Sequence, residues 1–117
     1  MWDGINCRKF PRINSKIEVD IKINGNIEHI STLTENIGIG GICIILDKKV
    51  DKYSLVKLNL EINDDFSPIE CDGRIVWIIE KRIFGKNDSH YDVGIEFLNM
   101  DAVDGDRIKN FILQKER

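Results

Sequence analysis

Hydrophobic and polar residues alternate along most of this chain, and that alternation is typical of β-strands with one buried face. In residues 16–23 every odd position is isoleucine or valine and every even position is charged. Asn24-Gly25 follows, the dipeptide preferred in two-residue hairpin turns, so residues 27–34 are predicted to return as an antiparallel strand. An almost wholly apolar run predicts a further strand at residues 42–46. Alternation predicts three more, at residues 55–62, 69–79 and 91–97.

These six segments are separated by turn signals, and no helical period occurs between them. They indicate an all-β fold, either an antiparallel barrel or a sandwich, rather than an α/β fold. In the longest segment, residues 69–79, alternation assigns Trp77 and Ile79 to the apolar inner face. Gly73 in the same segment suits a bend in a long, curling strand.

The end of the chain has a different pattern. Ile108, Phe111 and Ile112 recur at helical spacing, and Asp101 is a residue type that caps helix N-termini. A C-terminal helix is therefore predicted from about residue 103 to residue 115, packed beside or across one opening of the barrel.

Three glycines lie between apolar runs in the segment Asn36-Ile37-Gly38-Ile39-Gly40-Gly41. Glycine permits positive φ and close approach to the main chain, so this segment is interpreted as a tight turn that can also face a ligand. Its candidate partner is the basic segment Arg8-Lys9-Phe10-Pro11-Arg12. We interpret that segment as a loop, because Pro11 fixes its own φ and disfavours helix at the residue before it.

The composition is that of one globular domain: 117 residues, 42% hydrophobic and 32% charged. No apolar run approaches the ~20 residues of a membrane span, and the N-terminus lacks the order of a signal peptide, so the cytoplasm is expected. The net charge of -3 disfavours a general polyanion binder, although a local basic group can still attract a small anion. The 3 cysteines are widely spaced and are interpreted as reduced thiols.

No catalytic or metal-binding arrangement is evident in the sequence. His29 and His90 stand at no metal-ligand spacing from a cysteine. Asp64-Asp65 is interpreted as part of a polar hairpin loop, and Cys7, which has no neighbouring base, as an ordinary cysteine. We therefore expect no enzymatic activity, no metal and no cofactor.

The basic segment and the glycine segment together resemble the two-part signature of the PilZ domain family. Arg8-x-x-x-Arg12 matches its Arg-x-x-x-Arg half, and Asn36-x-Gly38-x-x-Gly41 matches its Asp/Asn-x-Ser-x-x-Gly half. The segments Gly73-Arg74-Ile75-Val76-Trp77 and Val93-Gly94-Ile95-Glu96-Phe97 are similar to the long strand and the closing strand of that family. The resemblance implies a six-stranded antiparallel PilZ-type barrel with a C-terminal α-helix.

The resemblance also implies a bacterial receptor for cyclic di-GMP. Arg8 and Arg12 are assigned to guanine edges and phosphates, because an arginine fork matches paired acceptors. Asn36 is assigned to the opposite guanine edge, and Gly40 and Gly41 to the turn that brings main-chain groups near the ligand. Gly94 matches the family's glycine at the rim of the site. Ligand is expected to order the loop from Arg8 to Arg12 against the barrel and to signal to a protein effector, with a homodimer also open.

One position departs from the signature, because Gly38 replaces the family's serine. A missing neutral hydrogen bond costs ~0.5–1.5 kcal/mol, so weakened binding is expected. The alternative is a PilZ-fold adaptor that has lost the ligand. A third hypothesis, a barrel that binds single-stranded nucleic acid, is disfavoured because the aromatic residues fall mainly on inward faces and the net charge is negative.

The resemblance divides the chain into two parts. Residues 1–7 are expected to be an N-terminal tail, and residues 8–117 the PilZ domain. Within the domain, residues 8–15 form the arginine-bearing loop, residues 16–98 the barrel and residues 101–115 the C-terminal helix.

Overall fold

A computed structural model of the chain describes residues 12–13, 16–23, 29–82 and 89–115, with the backbone alone at Arg12 and His29. These residues form seven strands and one helix: β1 (Arg12–Ile13), β2 (Glu18–Ile23), β3 (His29–Gly38), β4 (Gly41–Leu46), β5 (Leu55–Glu61), β6 (Ile69–Arg82), β7 (Ser89–Leu98) and α1 (Ala102–Lys115). The predicted tail at 1–7, Arg8 and the Asn24-Gly25 turn lie outside the described residues.

Six of the strands close into an antiparallel barrel. The order is β3-β2-β5-β6-β7-β4, and β4 pairs back onto β3, so the sheet closes on itself. β3 pairs first with β2 and then, further along, with β1. Leu33 is the last residue of β3 opposite β2, whereas Ile37 and Gly38 are opposite β1. The prediction of a six-stranded antiparallel barrel with a C-terminal helix is therefore confirmed, and the sandwich alternative is wrong.

Aliphatic side chains that alternate along the strands fill the barrel. In β2, Val19 and Ile21 are buried while Glu18 and Lys22 are exposed, as the alternation predicted. Complete burial of an aliphatic side chain stabilises the fold by about 1.5–3 kcal/mol, and a slip of one residue would expose the whole set. The alternation thus fixes the register of β2 against its neighbours.

A β-bulge in β6 changes which residues of that strand face the core. Ile75 pairs with Ile95, but the next pairs are Trp77 with Gly94 and Ile78 with Val93. The bulge shifts the alternation by one residue, so Ile78 packs against the core and Ile79 is 52% exposed. The prediction that Trp77 and Ile79 continue the inner face is therefore wrong.

β3 is longer than the alternation predicted. It continues to Gly38, and β4 begins at Gly41, so the bend between them contains only Ile39 and Gly40. The interpretation of the whole segment from Asn36 to Gly41 as a turn is therefore wrong in its extent. Asn36 and Gly38 gain fixed positions in a paired strand, since β3 is bonded to β4 and β1 there.

α1 closes the fold against the β3 side of the barrel. Its Ile108 and Ile112 are buried, Phe111 packs partly buried against the core, and Asp101 directly precedes the first helical residue, as predicted. A two-armed ion pair fixes the helix to the β5–β6 loop: Arg107 Nε donates to Asp64 Oδ2 at 2.7 Å and Arg107 Nη2 donates to Asp64 Oδ1 at 2.6 Å. Arg107 Nη2 also donates to the backbone oxygen of Ser67 at 2.7 Å. Across the described residues, no helix is long and apolar enough to cross a membrane.

Candidate functional site

The last residue of the first half of the sequence signature pairs with a residue of the second half, on β3. In β1, Arg12 pairs with Gly38 and Ile13 pairs with Ile37. Opposed residues of an antiparallel pair have Cα atoms roughly 4.5–5.5 Å apart, so the backbone of the second signature arginine lies directly beside the glycine at the serine position. The Arg12 side chain and the whole of Arg8 lie outside the described residues.

The segment that follows β1 is also fixed to β3. Ile17 N donates to the hydroxyl oxygen of Thr34 at 3.0 Å, and Thr34 N donates to the Ile17 backbone oxygen at 3.0 Å. Thr34 is buried, so these bonds form where water does not compete effectively. β3 therefore contacts the chain that precedes β2 at two points, through Gly38 opposite Arg12 and through Thr34 bonded to Ile17.

The bend between β3 and β4 is tied to the last strand. Phe97 N donates to the backbone oxygen of Gly40 at 2.9 Å, and Gly41 pairs with Glu96. Four of the predicted site glycines therefore lie on three strands and the bend between two of them: Gly38 on β3, Gly40 in the bend, Gly41 on β4 and Gly94 on β7.

Strand register aligns a row of residues across four strands on the outer face of the barrel. Asn36 of β3 pairs with Cys43 of β4, Cys43 pairs with Gly94 of β7, and Gly94 pairs with Trp77 of β6. Directly opposed residues project from the same face of a sheet, and their inward neighbours such as Ile42 are in the core. With strands ~4.8 Å apart, this row spans about 14 Å.

The side chains at the middle of this row are small, and those at its two ends are larger. Gly94 and Cys43 are buried, whereas Asn36 and Trp77 are half-buried. The indole N–H of Trp77 is itself inaccessible to solvent and has no hydrogen-bond partner among the described residues. A buried donor left unsatisfied costs about 1–3 kcal/mol, so this N–H is an unfavourable feature of the face as it stands.

The next outer row carries both charge and apolar surface. Ile45 pairs with Asp92, and Asp92 pairs with Ile79. Lys81 Nζ lies 2.6 Å from Asp92 Oδ2, and this hydrogen bond raises the pKa of Lys81 above its usual value. The cation of Lys81 is therefore paired with the carboxylate of Asp92 on this face.

Such an arrangement is suited to binding a flat, polar molecule. Gly94 places no side chain at the middle of the row, an amide stands at one end and an aromatic ring at the other. No group of three or more histidine, cysteine or carboxylate side chains that could hold a metal ion is found in the described part of the chain.

Sequence reasoning missed Trp77 as a member of this face. Residues 75–79 are all apolar, so either alternation fits them, and nothing local indicates that the β6 bulge falls between Ile75 and Trp77. The similarity of Gly73-Arg74-Ile75-Val76-Trp77 to the family's long strand was the available signal, but it did not indicate a face.

The sequence matches a family model described as the PilZ domain over residues 6–114, and the chain therefore belongs to the PilZ domain family. No curated protein matches the sequence.

Solved structures of PilZ proteins share the fold. The chain is similar to the Bacillus subtilis inhibitor of motility MotI/DgrA, with a TM-score of 0.75 and 18% identity over 93% of this chain and 51% of that chain. It is also similar to the PilZ domain with c-di-GMP of YcgR from Escherichia coli, with a TM-score of 0.73 and 16% identity over 94% of this chain and 92% of that chain.

A third similar structure is the K. pneumonia MrkH-c-di-GMP complex, with a TM-score of 0.72 and 18% identity over 93% of this chain and 51% of that chain. The chain thus spans about half the length of the motility inhibitor and of MrkH, but nearly the whole of the YcgR PilZ domain.

Proposed function

We propose that this chain is a receptor domain for cyclic di-GMP that acts by binding and not by catalysis. The main observation that supports this proposal is the pairing of Arg12 with Gly38. This pairing places a residue of the arginine half of the PilZ signature beside a residue of the Asn36-to-Gly41 half. The similar YcgR domain and the MrkH complex, both with c-di-GMP, support the choice of ligand.

In this proposal each end of the site has its own role. Arg8 and Arg12 hold guanine edges and phosphates through charge-assisted, two-armed hydrogen bonds. Asn36 accepts from the N–H groups of the opposite guanine edge, and the half-buried Trp77 adds an aromatic wall. Gly38, Gly40, Gly41 and Gly94 have no side chains that would fill the space beside the ligand.

We propose further that ligand fixes residues 8–12 against the barrel and so changes the surface offered to a protein effector. β1 supports this step, because its two residues already pair with β3 and any residues anchored by the ligand continue directly from that pairing. Such a change in a segment beside a rigid scaffold is an established form of molecular switch.

Isothermal titration of cyclic di-GMP into the purified protein tests the proposal. We expect saturable binding in low salt, and loss of measurable binding for Arg12→Ala. Lys49→Ala is a matched control, since Lys49 is an exposed cation outside the site and should leave the affinity unchanged. No heat at about 1 mM ligand, where even weak specific binding registers, would exclude the receptor function.

A second candidate function is a PilZ-fold adaptor that binds protein partners without the ligand. The observation in its favour is Gly38, which removes a hydroxyl at the position that pairs with Arg12. If the chain is such an adaptor, the wild-type protein should give no heat of binding in the cyclic di-GMP titration, and Gly38→Ser should restore binding.

A further inference from the structure

A cavity lies away from the row of Asn36, Cys43, Gly94 and Trp77. Its volume is about 430 Å³, and it opens between α1, the β5–β6 loop and the segment that leads into β2. Ile17 and Ile62 are buried beneath it, Phe111 is partly buried at its side, and Phe66 is 70% exposed at its rim. An exposed phenylalanine beside an apolar floor is a feature of surfaces that receive another molecule.

The charges around this cavity are mostly positive. Lys16, Arg107 and Lys115 line it, and Asp64 is the one carboxylate among its described lining residues. Arg107 already pairs with Asp64, and among the ion pairs of the described residues none involves Lys16 or Lys115. Lys115 Nζ lies 5.7 Å from the centre of the Phe111 ring. The chain as a whole has a formal charge of -3, so this local excess of cations is opposite to the overall sign.

The walls of the cavity are preorganised. Arg107 ties α1 to the β5–β6 loop and its guanidinium lies 5.5 Å from the centre of the Phe66 ring. Inside the loop, Phe66 N donates to Asp64 Oδ1 at 3.3 Å. Asn110 and Gln114 project into the cavity lining from α1 and supply amide donors and acceptors for a peptide backbone.

From this combination we propose that the cavity is a docking site for an acidic peptide segment of a protein partner. An apolar side chain of the peptide would occupy the floor over Ile17 and Ile62, and its carboxylates would lie near Lys16 and Lys115. Charge complementarity selects an acidic segment, because basic segments are repelled and uncharged ones gain nothing from the lysines.

The cavity and the candidate ligand site share one segment of chain. Lys16 and Ile17 line the cavity, and they follow β1, whose Arg12 pairs with Gly38 in the ligand site. The two hydrogen bonds between Ile17 and Thr34 connect this lining to β3. The role of the cavity as the effector's docking point therefore rests on the proposed function, whereas peptide binding itself does not need the ligand.

The test uses a fluorescein-labelled peptide, Gly-Glu-Glu-Leu-Glu-Glu-Gly, and the full chain. Anisotropy titration should show saturable binding that weakens as salt is raised from about 50 mM to about 500 mM, since exposed charges are screened. Lys16→Glu/Lys115→Glu should weaken binding about tenfold or more, as expected for reversing two contacting charges. The matched variant Lys49→Glu/Lys109→Glu changes two exposed lysines outside the cavity and should stay within about twofold of wild type.

Amide chemical shifts then locate the peptide. The expected result is a set of changes confined to Lys16, residues 62–66 and the last two turns of α1. The proposal is overturned if a glutamine-for-glutamate peptide binds equally well, if the matched variant weakens binding as much, or if no binding occurs at about 1 mM peptide. It is also overturned if GMP, and not the peptide, shifts these amides.

Cyclic di-GMP titration on the same samples separates this proposal from the proposed function. Peptide binding without cyclic di-GMP binding would overturn the receptor function and leave the docking site. Cyclic di-GMP binding without peptide binding would overturn the docking site alone.

Discussion

Gly73 lies on the inner face of β6, where even a methyl group has no room. A Cβ atom there would lie 2.7 Å from Ile95 Cγ2, 3.0 Å from Leu58 Cδ1 and 3.1 Å from the Glu96 backbone oxygen. The first two contacts are with side chains that can shift slightly, but the third is with the backbone of β7. Close packing between strands, more than a bend, therefore accounts for glycine at this position.

Gly73→Ala should lower the free energy of unfolding by about 1–3 kcal/mol, the usual cost of overpacking a core. Urea denaturation of the variant and the wild type measures it. Gly105→Ala is the matched control: its added Cβ meets only Met100 Cγ at 3.7 Å, and alanine is favoured over glycine in a helix by about 1 kcal/mol. A Gly73→Ala protein as stable as wild type would contradict the close packing.

Gly38 decides between the two candidate functions. It is buried in β3 opposite Arg12, so a serine hydroxyl there would stand beside the proposed ligand. If the wild type binds cyclic di-GMP, Gly38→Ser should tighten binding by up to about tenfold, the value of one neutral hydrogen bond. Calorimetry measures the ratio. A wild type that binds and a serine variant that binds much more weakly would mean that the site does not use a hydroxyl as the family signature implies.

At the scale of elements, α1 depends on a contact that joins residues far apart in sequence. Arg107 and Asp64 are separated by 43 positions, and their side chains are only 15% and 26% exposed. The hydrogen bonds from Arg107 hold the pKa of Asp64 below its ordinary value of 3.8. Since the folded protein favours the ionised carboxylate, the contact stabilises the fold above about pH 3.8, and its contribution is lost as pH falls through the depressed pKa.

Asp64→Asn should therefore destabilise the protein near neutral pH by roughly 1–2 kcal/mol, a charge-assisted contact discounted for its partial exposure. The difference from wild type should shrink as the pH falls through the depressed pKa of Asp64, because the wild-type carboxyl group then becomes neutral, like the asparagine amide. Urea denaturation over this pH range measures the difference. Asp65→Asn in the same loop is the control and should show little change, since Asp65 is exposed and asparagine tolerates its φ of 70°. A pH-independent difference for Asp64→Asn would contradict the role of its charge.

The elements that could be predicted from sequence are those that a local pattern specifies. Alternation located the barrel strands, and helical spacing located α1, because each element buries one face. The β6 bulge could not be predicted, since residues 75–79 are apolar on both faces. Nor could the Arg107–Asp64 contact, which no short-range pattern records.

The candidate site was predictable in its residues but not in its geometry. The signature identified Arg12, Asn36 and the glycines, whereas their proximity follows from the pairing of β1 with β3 and from the closure of β4 onto β7. Trp77 joined the same face only through the bulge. Residue types determine the chemistry of the candidate site, and strand register determines the distances between its residues.

At the scale of the whole molecule, the candidate site touches strands that are distant in sequence. Asn36, Cys43, Gly94 and Trp77 belong to β3, β4, β7 and β6, and those strands belong to one closed sheet. A closed barrel has no edge from which a single strand can separate without breaking pairs on both sides. A ligand in this row should therefore stabilise the barrel as a unit.

Cyclic di-GMP at 100 times its dissociation constant should then raise the free energy of unfolding by about 2.7 kcal/mol, because it binds the folded chain alone. For a domain of this size, that corresponds to an increase of about 8–15 °C in the unfolding midpoint. Differential scanning calorimetry should show one transition that moves upward as a whole, with GMP at equal concentration as the control and Arg12→Ala removing the shift. Cyclic di-GMP could instead bind and split the transition in two, or bind and leave the midpoint unchanged. Either result would mean that the strands of the site do not unfold together and that the barrel is not one cooperative unit.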